Sequence, residues 1–92
     1  MSKERKRLVC NENGWIVVKT IKDNNVSRCI ARHLKFRIDL RTNRGWMKQD
    51  EFDNAISARE AFGKRNRFFD YRLVAIHDIG EVRLPDNWKG PQ

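Results

Sequence analysis

The sequence predicts an α+β domain, in which an antiparallel sheet of about four to five strands carries one amphipathic helix packed on one face. Several segments alternate apolar and polar residues with a period of two, which is typical of strands. One later segment places apolar residues at helical spacing, and turn signals separate the segments. A helix that covers one face of an antiparallel sheet leaves the other face free to meet water.

The alternation is clearest between Cys29 and Arg41, and the rest of the predicted sheet is organised around this strand. Its apolar side chains fall on every second position, with an interruption at Arg32: Ile30, Leu34, Phe36, Ile38 and Leu40. A period of two places them on one face, toward a core, and leaves a mostly cationic set on the other. The imperfect alternation from Ala31 to His33 indicates a bend or bulge in this strand.

The residues before this strand predict a hairpin. Asn13-Gly14 is a strong signal for a tight turn, because both residues tolerate positive φ. Trp15 to Ile21 is rich in β-branched residues and predicts a strand, which the polar turn from Lys22 to Asn25 ends. The charged residues 2–7 are open to two interpretations, a solvated tail or a basic arm that follows a phosphate backbone.

The residues after this strand predict a turn, a short strand and the start of the helix. Thr42 to Gly45 is the turn, and Trp46 to Lys48 is the short strand. Asp50 is the predicted helix N-cap, and Asp53 completes an approximate capping box.

The helix itself follows from apolar residues at helical spacing, of which Phe52, Ile56 and Phe62 are expected to pack on the sheet. Asn66 is the expected C-cap. The segments Tyr71 to His77 and Glu81 to Leu84 predict two further strands.

Length and charge restrict the organisation of the chain. Its 92 residues predict a single domain over 1–92, with 1–6 and 86–92 as loose tails apart from Trp88. Lys and Arg total 20 against 12 acidic residues, so the net charge is +8. Such a balance favours an anionic partner.

The expected location is the cytoplasm. No apolar run approaches the roughly 20 residues that span a bilayer, and the charged start does not resemble a signal peptide. Cys10 and Cys29 do not form a disulfide framework, and we expect both to be reduced thiols in or near the core.

Catalysis has little support in the sequence. His33 and His77 are each isolated in a strand pattern, and no nucleophile motif, phosphate-binding glycine loop or zinc motif is present. We therefore expect a non-enzymatic protein with no catalytic residues, no metal site and no cofactor.

Anion binding has more support. Cationic side chains that contact phosphates give affinity through counterion release, and an exposed indole can stack on a base. The predicted binding residues are Arg28, Arg32, Lys35, Arg37, Arg41, Arg44 and Trp46. The sheet face would supply Lys35, Arg37 and Arg41, and the turn would supply Arg44 and Trp46. The predicted partner is nucleic acid within a nucleoprotein.

Two alternatives remain open. One is a small regulator of phage or bacterial origin that binds double-stranded DNA, and the order of three strands before a helix also resembles plant AP2-type DNA-binding domains in layout. The other is an adaptor that binds an acidic protein surface without nucleic acid. No residue pattern predicts an oligomeric state.

The segments FRIDLRTNRGWMKQDEFDNAISAREAF and YRLVAI form a hairpin, a helix and a returning strand. This layout, over residues 30 to 77, resembles small phage proteins that disable host machinery. In size and basic character the chain is most similar to anti-CRISPR proteins that act on type I-F surveillance complexes. The resemblance implies contact with guide RNA and its protein subunits, RNA favoured over DNA, and a block of target DNA binding. These inhibitors share no diagnostic motif, so no residue role is carried over.

Overall fold

The computed structural model of this protein describes residues 3–65 and 68–90, and within them it contains seven β-strands and one α-helix. The elements in chain order are β1 (Glu4–Cys10), β2 (Ile16–Lys22), β3 (Asn25–Ile30), β4 (Lys35–Thr42), β5 (Gly45–Phe52), α1 (Ala55–Gly63), β6 (Tyr71–His77) and β7 (Gly80–Arg83). The predicted α+β class is confirmed.

The strands form two antiparallel sheets, where the sequence had suggested one. The three-stranded sheet has the order β1-β2-β3, and the four-stranded sheet has the order β5-β4-β6-β7. The helix α1 packs against β4, β5 and β6. The predicted strand at Trp15 to Ile21 therefore lies in a different sheet from the predicted strands that follow residue 35, which form the four-stranded sheet with the helix.

The stretch from Cys29 to Arg41 is not one strand, so the prediction of a single bent strand was wrong. Its first part ends the three-stranded sheet, where the Ala31 amide donates the last hydrogen bond to the Ile16 carbonyl at 3.0 Å. His33 then takes a φ of 59°, which redirects the chain. The second part begins at Lys35 in the other sheet. The imperfect alternation marked a passage between two sheets.

The inner faces of both sheets share one hydrophobic core. The buried cluster contains residues of the three-stranded sheet, the four-stranded sheet, the helix and the C-terminal segment: Leu8, Ile16, Ala31, Phe36, Ile38, Ala58, Leu73, Ala75, Leu84 and Trp88. Within β4, Phe36 and Ile38 are buried while Lys35 and Arg41 are exposed. The predicted division of this strand into an apolar and a polar face is confirmed.

The C-terminal segment is anchored by Trp88, the residue that the prediction of a loose tail over 86–92 had excepted. The Trp88 indole nitrogen donates to the Gly14 carbonyl at 2.8 Å, and the ring packs against Phe36 with centroids 5.9 Å apart. Gly14 has a φ of 83°, and a Cβ there would collide with the Gly90 carbonyl oxygen. The first hairpin turn and the C-terminal segment therefore lie in direct contact.

The helix starts later than the sequence predicted. Asp50 is not the N-cap, because β5 continues through Phe52 after a bulge opposite Ile38 and Asp39. The N-cap is Asn54, whose side-chain oxygen accepts a hydrogen bond from the Ser57 amide at 2.8 Å.

The apolar face of the helix also differs from the prediction in one residue. Phe62 packs against the core as expected, and Phe52 does so from β5 and not from the helix. Ile56 is 68% exposed, and Ala58 is the buried helical residue. The inward face is formed by Ala55, Ala58 and Phe62, which are spaced three and four residues apart, and Ile56 lies off this face. The predicted C-cap, Asn66, lies outside the described residues.

The three-stranded sheet projects from the body of the molecule. The radius of gyration is 14.7 Å, against about 12 Å for a compact domain of this length. All residues from Ile21 to Ile30 are exposed, so β3 and the turn before it have no core on either side. The prediction of a loose start over 1–6 was wrong for Glu4–Lys6, because these residues pair with β2.

Candidate nucleic-acid interface

The outward face of the four-stranded sheet holds four of the residues that the sequence marked for binding. Lys35, Arg37 and Arg41 alternate along β4 on the side away from the core. Trp46 lies directly opposite Arg41 on β5. This part of the predicted site is brought together as expected, but two of its members have partners within the chain.

Arg37 is held by two carboxylates. Its Nε donates to Asp39 Oδ1 at 2.7 Å, and its Nη1 donates to Glu81 Oε1 at 2.7 Å. Arg72 binds the second oxygen of Asp39 at 2.9 Å, and Asp39 is only 2% exposed. A phosphate could bind the Arg37 guanidinium only by displacing Asp39 or Glu81, so this group has a structural role.

The same contacts set the protonation of the cluster. Burial raises the pKa of Asp39, but the hydrogen bonds from Arg37 and Arg72 outweigh it and hold the carboxyl below its ordinary value. The hydrogen bond from Arg37 likewise lowers the pKa of Glu81. In turn, the hydrogen bonds to Glu81 and Asp39 raise the pKa of Arg37. All these groups are charged at neutral pH, and the cluster is close to balanced.

Trp46 is covered by cations of its own chain. The guanidinium carbon of Arg72 lies 4.4 Å from the ring centroid, and that of Arg83 lies 5.6 Å from it. A base could stack on the indole only by displacing these groups. The role predicted for Trp46 therefore does not fit the arrangement of this face.

The remaining predicted cations of this region lie apart from the cluster. Lys35 and Arg41 are exposed on β4, and Arg44 is exposed in the turn between β4 and β5. Beside them the Lys48 ammonium pairs with Glu51 at 2.5 Å, and that hydrogen bond lowers the pKa of Glu51. The outward face of the four-stranded sheet thus carries both signs of charge.

The outward face of the three-stranded sheet is different. Leu8 and Ile16 lie in the core cluster and Val18 packs against it, so the alternate residues lie on the other face of the sheet. The row of that face nearest the body is aliphatic and consists of Val9, the buried Val17 and the exposed Ile30. Beyond the innermost row, the strand register places these side chains on the outward face: Arg5, Arg7, Lys19, Ile21, Val26 and Arg28. It is a cationic face that also bears three exposed aliphatic side chains, Ile21, Val26 and Ile30.

Three of these cations lie in one line across the sheet. Arg7 is paired in register with Lys19, and Lys19 is paired with Arg28. Directly opposite residues have Cβ atoms about 5 Å apart, and like charges at that spacing destabilise a sheet. We call Arg7, Lys19 and Arg28 the cation row.

No carboxylate relieves this repulsion within the part of the chain that the structure describes. None of the three cations takes part in an ion pair there. Glu4 belongs to the opposite face and pairs with Lys6 at 3.7 Å, and Asp23 occupies the turn at the tip. The outward face therefore offers positive charge that forms no ion pair with the described residues.

The structure thus places the predicted binding residues on different surfaces of the molecule. Arg28 belongs to the cation row, and Arg32 is exposed in the link between the two sheets. Arg5, Arg7 and Lys19 were not selected. Alternation in 4–10 and 16–22 gives the faces of each strand, but only the pairing register aligns Arg7 with Lys19 and Arg28.

Other kinds of site have no support among residues 3–65 and 68–90. No group of three or more His, Cys, Asp or Glu side chains there could hold a metal ion. Cys10 and Cys29 are free; Cys10 is half-buried, which raises the pKa of its thiol, and Cys29 is exposed, against the expectation of a near-core position. No helix in this part of the chain has the length and apolar character to cross a membrane.

Comparisons with models of protein families, with curated proteins and with solved structures found no significant match to this chain.

Proposed function

We propose that this chain is a non-enzymatic binding protein that holds nucleic acid, free or within a nucleoprotein, on the outward face of its three-stranded sheet. The observation that carries the proposal is the cation row. Three like charges in register reduce the stability of the sheet unless an anionic partner neutralises them. Nucleic acid provides regularly spaced phosphates, and each contact releases condensed counterions.

The contrast between the two sheets supports this location. On the four-stranded sheet, Arg37 and Arg72 are neutralised by Asp39 and Glu81. On the outward face of the three-stranded sheet, the cation row has no such partners among the described residues. A polyanion gains more from the second face, because there it does not compete with carboxylates of the same chain.

A binding titration with matched variants tests the site. Labelled DNA and RNA of mixed sequence would be titrated with wild type and with Arg7→Gln/Lys19→Gln/Arg28→Gln, and anisotropy would be followed over about 50–200 mM salt. The control is Lys35→Gln/Arg41→Gln/Arg44→Gln, which removes equal charge from the region that the sequence favoured. Circular dichroism would verify that both variants fold.

We expect the cation-row variant to lose affinity at least tenfold and to show a shallower salt dependence. Each lost phosphate contact lowers the slope of log K against log salt by about 0.9 for duplex DNA. An equal loss in the control variant would overturn the site, because it would indicate only a response to net charge. Undiminished binding by the cation-row variant would also overturn it.

The partner named by the resemblance, a type I-F surveillance complex, stays a prediction. A pull-down of tagged protein from a lysate that contains this complex tests it, with and without nuclease and across a salt series. Recovery that depends on the cation row and falls steeply with salt supports contact with guide RNA. Recovery with a shallow salt slope points to a protein-only adaptor.

A further inference from the structure

We propose that the nucleic acid held by this sheet is duplex DNA, and that the outward face lies over its major groove. This inference rests on the proposed function and names its ligand. It departs from the expectation of RNA, and the reasons lie in the side chains that accompany the cations: Ile21 and Val26.

The composition of the face disfavours a single strand. Proteins that grip unpaired bases stack them on aromatic rings or on flat guanidinium groups over a shaped groove. The outward face contains no aromatic residue in any of its three strands. The predicted stacking residue, Trp46, is half-buried in the other sheet and lies under the guanidinium groups of Arg72 and Arg83. The arginines of this face can stack on a base, but a face without an aromatic ring favours paired bases, which need no stacking partner from the protein.

The aliphatic pair at the tip favours DNA over RNA. Ile21 and Val26 are directly opposite each other in the register, and they are 39% and 48% exposed. In a groove, the apolar partner for such side chains is the C5-methyl group of thymine, which projects into the DNA major groove. RNA lacks this methyl group, and the A-form major groove is too deep and narrow for side chains to read.

The dimensions of the sheet agree with this placement. Neighbouring strands lie about 4.8 Å apart, and the major groove, about 12 Å wide, admits a two-stranded β-ribbon, so two of the three strands fit within the groove and the third lies over its edge. The central strand, β2, then faces the groove floor with Lys19 and Ile21. Arg7 on one flank and Arg28 on the other face the groove walls, where the phosphates lie.

The tip of the sheet does not obstruct this approach. β2 and β3 are joined by a two-residue turn, in which Asp23 and Asn24 have φ values of 49° and 68°. These values are typical of the tight hairpin turn that follows the strand twist. Side chains on one face of a strand repeat about every 6.8 Å, which is the rise of two base pairs. The rows of Lys19 and Ile21 therefore lie over base pairs that are two apart.

The test compares four labelled ligands of equal length and matched mixed sequence: duplex DNA, duplex DNA with uracil in place of thymine, duplex RNA and single-stranded DNA. Wild type is titrated with each at one salt concentration. The variant is Ile21→Ala/Val26→Ala, which trims exposed side chains and leaves the core intact. The matched control is Thr20→Ala/Ser27→Ala, a pair in register on the opposite face of the same hairpin.

We expect wild type to bind thymine-containing duplex DNA at least tenfold more tightly than duplex RNA or single-stranded DNA. Replacing thymine by uracil is expected to weaken binding about fourfold, which corresponds to one buried methyl group. The Ile21→Ala/Val26→Ala variant is expected to bind the two DNA duplexes equally, while the Thr20→Ala/Ser27→Ala control retains the wild-type difference.

Three other outcomes would overturn the inference. Equal affinity for the thymine and uracil duplexes would show that the protein does not contact the thymine methyl group. Tighter binding of duplex RNA or of single-stranded DNA would show that duplex DNA is not the preferred ligand. Both of these outcomes leave the proposed function standing, provided that binding still depends on the cation row. Failure to bind any of the four ligands would refute both proposals together.

Discussion

Removing the middle charge of the cation row should make the protein more stable, and Lys19→Gln is the substitution that tests this. Two unit charges about 7 Å apart in water repel by about 0.6 kcal/mol. A Debye length of about 10 Å at 0.1 M salt halves that value. Lys19 has such a neighbour on each side, Arg7 and Arg28. The free energy of unfolding should therefore rise by about 0.6 kcal/mol, within the range measured for cross-strand pairs.

Urea unfolding at low and high salt is the assay. The gain should be largest at low salt and should vanish near 1 M salt, where the Debye length is about 3 Å. Lys35→Gln is the control, because Lys35 lies near the Glu51 carboxylate and helps to lower its pKa, so this change should not stabilise the protein. A Lys19→Gln variant that is less stable than wild type, or equally changed at all salt concentrations, would refute the reasoning.

Three further substitutions probe the rest of the fold. Asp39→Asn should lower the free energy of unfolding by about 3 kcal/mol, because it leaves two guanidinium groups facing a neutral amide. Urea unfolding measures this loss. The control is Glu51→Gln, which removes an exposed ion pair and should leave the stability near that of wild type. Since the folded-state pKa of Asp39 lies below its unfolded value, its contribution is complete above about pH 4 and is lost as the pH falls, so the variant should show a flatter acid limb. Trp88→Ala should cost about 3–5 kcal/mol in thermal or urea unfolding, whereas Trp88→Phe should cost less. Asn54→Ala should cost about 1 kcal/mol as a lost N-cap; an equal loss in Asp53→Ala would contradict the helix start seen in the structure.

Local patterns were enough to predict much of the fold. The alternation in 35–41 assigned the inner and outer faces of β4 correctly, and Tyr71–His77 is a strand with the predicted bounds. Errors arose where a local signal competed with pairing. Asp50 has the chemistry of an N-cap, but the bulged pairing with β4 keeps it in a strand and Asn54 caps the helix instead.

The candidate site was harder to predict, because it depends on contacts between distant residues. Glu81 is 44 positions from Arg37 in sequence, yet it neutralises that guanidinium. Arg7, Lys19 and Arg28 belong to three strands, and each is an ordinary surface cation in its own segment. Charge and composition therefore indicated an anionic partner, whereas the register decides which sheet is able to meet it.

The hydrogen bond between Trp88 and Gly14 joins residues 74 positions apart, which has a consequence for the order in which the chain folds. The first hairpin can form within microseconds from local contacts, long before the ribosome has made the indole that closes over its turn. Until then Leu8 and Ile16 have no complete cover, and the hairpin presents an apolar surface beside open strand edges. Nascent chains that lack Trp88 should therefore be the species most prone to self-association, and the final docking of the indole should be a late, slow step because it closes a long loop.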